Sequence, residues 1–226
     1  MDHKRHNENH SEFSEVKVEA NYHNGYITVQ VTDDEGKIVE LEKTHEKQMH
    51  LIIVSKDLET FLHVHPNELK SGHFEIETEL RPDQYFAFVD INPKCKTYWI
   101  EPIKISVDND SGYQSVNVSE LSNDSKLTKE INGKKVTLSH SDLNFGKTVT
   151  LAFDVNGEKP LPYLGALGHV VIIDKQVEKF IHVHPLSDDV TEFQAHFPRP
   201  GIYKLWAEFN LTDIGVMVFS FVLEVD

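Results

Sequence analysis

The chain lacks features on which several common classes of protein depend. Cys95 is the only cysteine among 226 residues, which excludes an intramolecular disulfide and a zinc site of the CxxC type. No apolar run reaches the length of a transmembrane helix. The N-terminal MDHKRHNENHSEFSE has no apolar signal region. We expect no membrane insertion, and a cytoplasmic location for the chain as written, or an extracytoplasmic one if a signal segment precedes it.

Positive charge and catalytic motifs are also scarce. The sequence has 22 Lys and Arg against 37 Asp and Glu, a net charge of -15, so nucleic acids and anionic membrane surfaces are not expected partners. A cation is compatible with this charge. The sequence contains no GxSxG, Walker, Rossmann-glycine or HExxH pattern. We therefore predict that the protein is not an enzyme.

One seventeen-residue phrase occurs twice in the chain. Residues 50–66 are HLIIVSKDLETFLHVHP, and residues 169–185 are HVVIIDKQVEKFIHVHP. In each copy the first His lies 13 positions before the second and 15 before the third, and the copies are 119 residues apart. A repeat at fixed spacing predicts an internal duplication, and so two domains of about 100 residues each.

Short strand patterns separated by turns fill both halves of the sequence. Residues 26–31 alternate apolar and polar side chains, residues 51–54 form an aliphatic run, and residues 61–65 alternate again. The corresponding stretch in the second half, residues 180–184, is predicted as a single strand. We find no helical period, and we predict an all-β fold of two tandem immunoglobulin-like β-sandwiches.

The predicted boundaries follow the composition. Residues 1–14 are polar and His-rich and are predicted to be disordered. Residues 15–108 form the first sandwich, residues 109–130 are a linker rich in Ser, Asn and Asp, and residues 131–226 form the second sandwich.

The repeated histidines pose the main functional question. Side chains alternate across a strand, so His63 and His65 lie on one face, about 7 Å apart at their Cα atoms. If residues 56–60 return the chain as a hairpin, His50 lies opposite this pair. Three neutral imidazoles with an open position suit Zn²⁺, Cu²⁺ or Ni²⁺. The same pattern in the second copy uses His169, His182 and His184.

The residue before the first His differs between the copies. Met49 precedes His50, whereas Gly168 precedes His169. A thioether ligand would favour copper at the first site. However, neighbouring strand residues face opposite sides, which favours a core position for Met49 unless a bulge turns it. His45 and Glu46 could add ligands to the first site only, although exposed loop positions are favoured for both.

These observations support a metal-binding protein for copper, zinc or a related ion, and they leave three questions open. The two sets of histidines could form two sites or converge on one shared site. As an alternative, the histidines could be structural, in a module that binds partner proteins. A metal-dependent hydrolase is the least favoured hypothesis, because it needs a general base such as Glu46 near the ion.

The segment THEKQMHLIIVSKDLETFLHVHP resembles bacterial YtkA-like proteins of unassigned function, which carry a Met-His-Leu…aromatic…His-X-His-Pro signature. The resemblance covers residues 45–91 and 163–209. It implies immunoglobulin-like domains, an extracytoplasmic location and a connection with copper or other heavy metals. The residues that match the signature are Met49, His50, His63, His65 and Pro66, and then His169, His182, His184 and Pro185.

Overall fold

A computed structural model describes residues 13–107, 121–181 and 183–226, except for the side chain of His184. The predicted disordered tail, apart from its last two residues, and most of the predicted linker lie outside this part. Every regular element within it is a β-strand. The all-β prediction is therefore confirmed.

The first unit consists of two antiparallel sheets packed face to face. Its strands are β1 (Val16–His23), β2 (Tyr26–Asp33), β3 (Leu41–Glu42), β4 (Met49–Ser55), β5 (Phe61–Val64), β6 (Asn67–Lys70), β7 (His73–Glu77), β8 (Asp83–Pro93) and β9 (Ile103–Val107). One sheet has the order β1-β2-β7-β6, and the other has the order β3-β8-β4-β5, with β9 also paired to β8. Apolar side chains between the two sheets form the first core.

The second unit repeats this architecture. Its strands are β10 (Thr128–Ile131), β11 (Lys134–His140), β12 (Thr148–Asp154), β13 (His169–Asp174), β14 (Phe180–Ile181), β15 (His184–Pro185), β16 (Glu192–His196), β17 (Gly201–Leu211) and β18 (Gly215–Val225). The sheet orders are β10-β11-β12-β16-β15 and β14-β13-β17-β18. Strand β10 begins inside the predicted linker and pairs with β11.

A tyrosine corner marks both units as immunoglobulin-like sandwiches. The hydroxyl of Tyr85, near the start of β8, donates to the carbonyl of Arg81 at 3.0 Å. The hydroxyl of Tyr203, near the start of β17, donates to the carbonyl of Arg199 at 2.8 Å. Each bond runs back four residues, which is the arrangement known in this fold. The Arg-Pro turns before both tyrosines belong to the same duplicated feature.

Strands β4 and β13 are buried along their whole length. In β4, Leu51 and Ile53 point into the core of the first unit, whereas Ile52 and Val54 point out of it. Strand β13 divides its side chains in the same way. A strand covered on both faces has no polar side to alternate with, which explains the continuous aliphatic runs in the sequence.

The outward faces of these two strands meet, and together they form an apolar seam between the units. The seam consists of Ile52, Val54, Leu58, Phe86, Phe88, Val171, Ile173, Val177 and Trp206. Phe61 and Phe180 pack against it. The two sandwiches are thus joined through the sheets that carry His50, His63 and His169.

The prediction of a single strand over residues 180–184 is wrong. Strand β14 ends at Ile181 and pairs with β13 in one sheet, whereas His184 and Pro185 pair with β16 in the other. The chain therefore passes from sheet to sheet within the HVHP segment. The change of sheet precedes Pro185, which has no N–H to donate and stands at the end of β15.

Candidate metal site

The β4–β5 hairpin brings the first three histidines together. Leu51 pairs with Val64 and Ile52 with His63, so His50 lies beside the end of β5. Leu62 and Val64 pack against the first core, and the alternate residues Phe61 and His63 face the seam. The predicted hairpin is confirmed.

Three ring nitrogens converge at the edge of the seam. Nδ1 of His50 lies 3.1 Å from Nε2 of His63 and 3.1 Å from Nε2 of His65. One ligand atom from each of the three side chains falls within 4.8 Å of the other two. Nitrogens bound to one Zn²⁺ at about 2.0–2.1 Å would be about 2.9 Å apart at right angles and about 3.3 Å apart at tetrahedral angles. The two observed separations lie between these values.

The outer nitrogens of two of these rings are held by oxygen acceptors. Nε2 of His50 donates to the carbonyl of Thr44 at 2.9 Å, which leaves Nδ1 with the lone pair. Nδ1 of His63 donates to the carboxylate of Glu208 in β17 of the second unit. The tautomers inferred from these acceptors direct a lone pair of each ring towards the point of convergence.

The environment favours neutral imidazoles at His50 and His65. His50 is buried, and burial lowers the pKa of its ring, with a further contribution from the nearby His63. Burial lowers the pKa of His65 to about 3, with contributions from His63 and His50. Neutral imidazole is the form that ligates a metal. With the tautomers inferred above, the lone pairs of His50 Nδ1 and His63 Nε2 face each other at 3.1 Å, and a cation bound between them would relieve their repulsion.

The first histidine of the second copy has an equivalent environment. Nε2 of His169 donates to the carbonyl of Tyr163 at 2.9 Å, as His50 does to Thr44. Burial lowers the pKa of His169 to about 4. Its ring centroid lies 6.2 Å from that of His63, across a cavity of about 40 Å³ at the junction of the units. His182 and the side chain of His184 lie outside the described part of the chain, so the second site stays a prediction.

Met49 does not join the cluster. It is buried in the core of the first unit, on the face of β4 opposite His50. The ligand role considered for its thioether has no support from this position, because neighbouring side chains of a strand without a bulge point to opposite faces. Its pairing with Ile91 continues the regular register of β4 and β8.

His45 lies closer to the site than the sequence suggested. It is half-buried, and its ring centroid lies 6.2 Å from that of His50 and 5.4 Å from that of His169. The backbone of His45 and Glu46 is left-handed, with φ of 48° and 66°, in the turn that also presents the Thr44 carbonyl. Glu46 is exposed, as expected.

Sequence reasoning missed Glu208 and Thr44. The Thr44 carbonyl is a backbone group, which no side-chain pattern reveals. Glu208 and Asp90, however, each stand five residues after the corner tyrosine of their unit, and they pair with His169 and His50 respectively. An acidic residue at the same repeat position inside an apolar strand was the available signal.

Together these features define a tandem β-sandwich protein with a histidine cluster where its two units meet. The chain belongs to the family described as a domain of unknown function (DUF8832), whose model matches residues 9–107 and 129–226. The two matched segments agree with an internal duplication. The family match carries no YtkA-like relationship and names no metal.

The comparisons with individual proteins are weaker. No curated protein matches the chain. The chicken CNTN1 FN1-FN3 domains are 9% identical, with a TM-score of 0.26 over 92% of this chain and 66% of that one. The Yersinia pseudotuberculosis adhesin InvE is 11% identical, with a TM-score of 0.25 over 92% and 58%. S. aureus TarS 217-571 is 12% identical, with a TM-score of 0.24 over 83% and 56%.

The chain spans less than two thirds of each of those three structures. No helix in the described residues is long and apolar enough to cross a membrane.

Proposed function

We propose that the protein binds one divalent transition-metal ion, Zn²⁺ or Cu²⁺, through His50, His63 and His65. The observation that supports this most directly is the convergence of three ring nitrogens, in which Nε2 of His63 and Nε2 of His65 each lie 3.1 Å from Nδ1 of His50. The outer nitrogens of His50 and His63 are bonded to the Thr44 carbonyl and the Glu208 carboxylate. Hydrogen bonds on the far side of ligating imidazoles are characteristic of protein metal sites. Three protein ligands leave one position open for exchange.

The ligand set bears on which metal is favoured. All three donors are imidazoles, which suit zinc and copper. Met49 faces the core, so no thioether is available from that position to favour Cu(I). We therefore propose that the ion is divalent and bound by imidazole nitrogens, and that the protein stores it or passes it on.

A non-enzymatic role is part of the same proposal. Glu46, the general base that the hydrolase hypothesis would require, is exposed on the turn after Thr44. Glu208 already accepts a hydrogen bond from His63. The extracytoplasmic location implied by the resemblance to YtkA-like proteins is also a proposal, and cell fractionation would test it.

Metal content of the full chain tests the proposed function. After purification without a tag, mass spectrometry and competitive titration with Zn²⁺ and Cu²⁺ should find about one ion lost on His65→Ala relative to the wild type. The matched control is His140→Ala, since His140 is exposed in the second unit. Because both proteins keep residues 1–14 and the second copy, the difference between them reports the first site alone.

Two results would overturn the proposal. One is a wild-type protein with no affinity better than micromolar for either ion. The other is a folded His65→Ala protein that retains the wild-type metal content. The repeated histidines would then serve the packing of the two units, and a partner-binding role would become the leading hypothesis.

A further inference from the structure

We propose that the second unit is part of the metal site, with Glu208 as a positioning residue that couples ion binding to the docking of the two units. This inference rests on the proposed function of the three histidines. It adds that the affinity for the ion depends on a residue 145 positions from His63 in the sequence, in the other sandwich. The first unit supplies the ligands, and the second controls their geometry.

The contact between His63 and Glu208 is enclosed. The side chain of His63 is 5% exposed and that of Glu208 is 7% exposed. Glu208 lies in β17, two residues after the seam residue Trp206, and pairs with His169 in β13. A buried carboxylate is costly unless it is paired. Within the described residues, the interaction that satisfies Glu208 crosses from one unit to the other.

The hydrogen bond determines what His63 offers to an ion. The carboxylate accepts from Nδ1, so Nε2 is left as the ligand atom facing His50 and His65. The negative charge also makes the imidazole a stronger donor to a metal cation. Loss of a carboxylate in this position typically weakens metal affinity about 10–100-fold.

Docking of the units is therefore linked to ion binding. The orientation of His63 that completes the site exists only while β17 is held against β4 and β5 by the seam. If docking of the units raises the affinity for the ion by some factor, then ion binding must raise the equilibrium constant for docking by the same factor. Zn²⁺ should consequently protect the seam, and separation of the units should release Zn²⁺.

The test uses the full chain with Glu208→Gln, Glu208→Asp and the control Glu192→Gln, whose side chain is exposed in the second unit. Glutamine removes the charge at constant size, and aspartate keeps the charge but shortens its reach. Zn²⁺ affinity is measured by competition with a chromophoric chelator. Hydrogen exchange of the β4 and β13 amides, with and without Zn²⁺, reports docking.

We expect Glu208→Gln to weaken Zn²⁺ binding about 10–100-fold and Glu208→Asp to weaken it less, whereas Glu192→Gln stays within about twofold of the wild type. Zn²⁺ should slow exchange in β4 and β13 of the wild type and slow it less in Glu208→Gln.

A folded Glu208→Gln protein with wild-type affinity would overturn the inference and leave the metal site standing. If Glu208→Gln does not fold, wild-type affinity in Glu208→Asp together with Zn²⁺-independent exchange would overturn it. A wild type that binds no Zn²⁺ or Cu²⁺ would overturn the proposed function itself.

Discussion

The ring of Phe61 stacks on that of Trp206 across the seam, with centroids 4.8 Å apart and planes inclined by 11°. A second pair, Phe88 and Phe180, stacks with centroids 5.7 Å apart and planes inclined by 26°. Phe61 and Phe180 each stand two residues before the first His of HVHP, and Phe88 and Trp206 each stand three residues after the corner tyrosine. Each unit thus contributes the same two aromatic positions to the contact, as in an isologous interface.

The first prediction concerns the strength of this seam. Trp206 is 3% exposed, and Trp206→Ala should lower the free energy of unfolding by about 3–5 kcal/mol because it removes a large buried ring. Urea unfolding followed by circular dichroism measures the change. The control is Phe145→Ala, since Phe145 is 51% exposed and its removal should cost far less. Equal losses in the two variants would contradict a packed seam.

A second prediction explains why Gly168 replaces the methionine of the first unit. A Cβ at Gly168 would lie 2.6 Å from a ring carbon of Phe209, whereas the first unit has Met49 opposite the smaller Ile91. Gly168→Ala should therefore cost about 1–3 kcal/mol of unfolding free energy through overpacking.

The matched double variant tests this explanation. Gly168→Met with Phe209→Ile rebuilds the pairing of the first unit. The loss of unfolding free energy in this double variant should be smaller than the sum of the losses in the two single variants by about 0.5–3 kcal/mol. Thermal or urea unfolding of the four proteins completes the cycle. Strict additivity would show that Phe209 does not determine the residue at position 168.

A third prediction concerns the tyrosine corners. Tyr203→Phe and Tyr85→Phe each remove one hydroxyl that bonds a backbone carbonyl, and each should cost about 1 kcal/mol of unfolding free energy. Tyr26→Phe serves as the control, because Tyr26 is exposed in the first unit. A loss at only one corner would show that the two bonds differ in energetic weight despite their common geometry.

The stability of the metal-free protein should depend on pH. The folded-state pKa of His50 is lowered, that of His65 lies at about 3 and that of His169 at about 4, each chiefly through burial, against an ordinary value of 6.5. Between these values the unfolded chain binds more protons than the folded one. The free energy of unfolding should therefore fall as pH drops from about 6.5 towards 4, and it should be insensitive to these groups above about 7.5.

Urea unfolding at several pH values between 4 and 8, combined with NMR titration of the imidazole signals, measures this dependence. Midpoints for His65 or His169 above 6.5 would contradict it. Zn²⁺ should steepen the dependence, because protonated imidazoles do not bind metal.

Much of the fold could be predicted from the sequence, for reasons visible in particular residues. The alternation in residues 61–65 and the length of residues 56–60 predicted a hairpin that places His50 opposite the end of β5, and the register of β4 and β5 agrees with it. The aliphatic runs of β4 and β13 indicated strands covered on both faces, but not what covers them. That partner is the equivalent strand of the other unit, and contacts between distant segments leave no local period in the sequence.

The candidate site was predicted in part for the same reason. His50, His63 and His65 come together as their spacing predicts. Glu208 was not found because its role depends on the approach of a second sandwich. Residues 180–184 were predicted as one strand because the alternation continues through them, although the pairing changes sheets.

The complete burial of β4 and β13 has a further consequence. Each sandwich carries a sheet face that would be apolar and uncovered if the unit stood alone, and the two faces cover one another by reciprocal contacts. This is the arrangement of a symmetric homodimer contained in a single polypeptide. Joining the two halves makes their encounter intramolecular, so its extent does not vary with protein concentration. It also frees the two halves to diverge, and where one half has Met49 with Ile91 the other has Gly168 with Phe209.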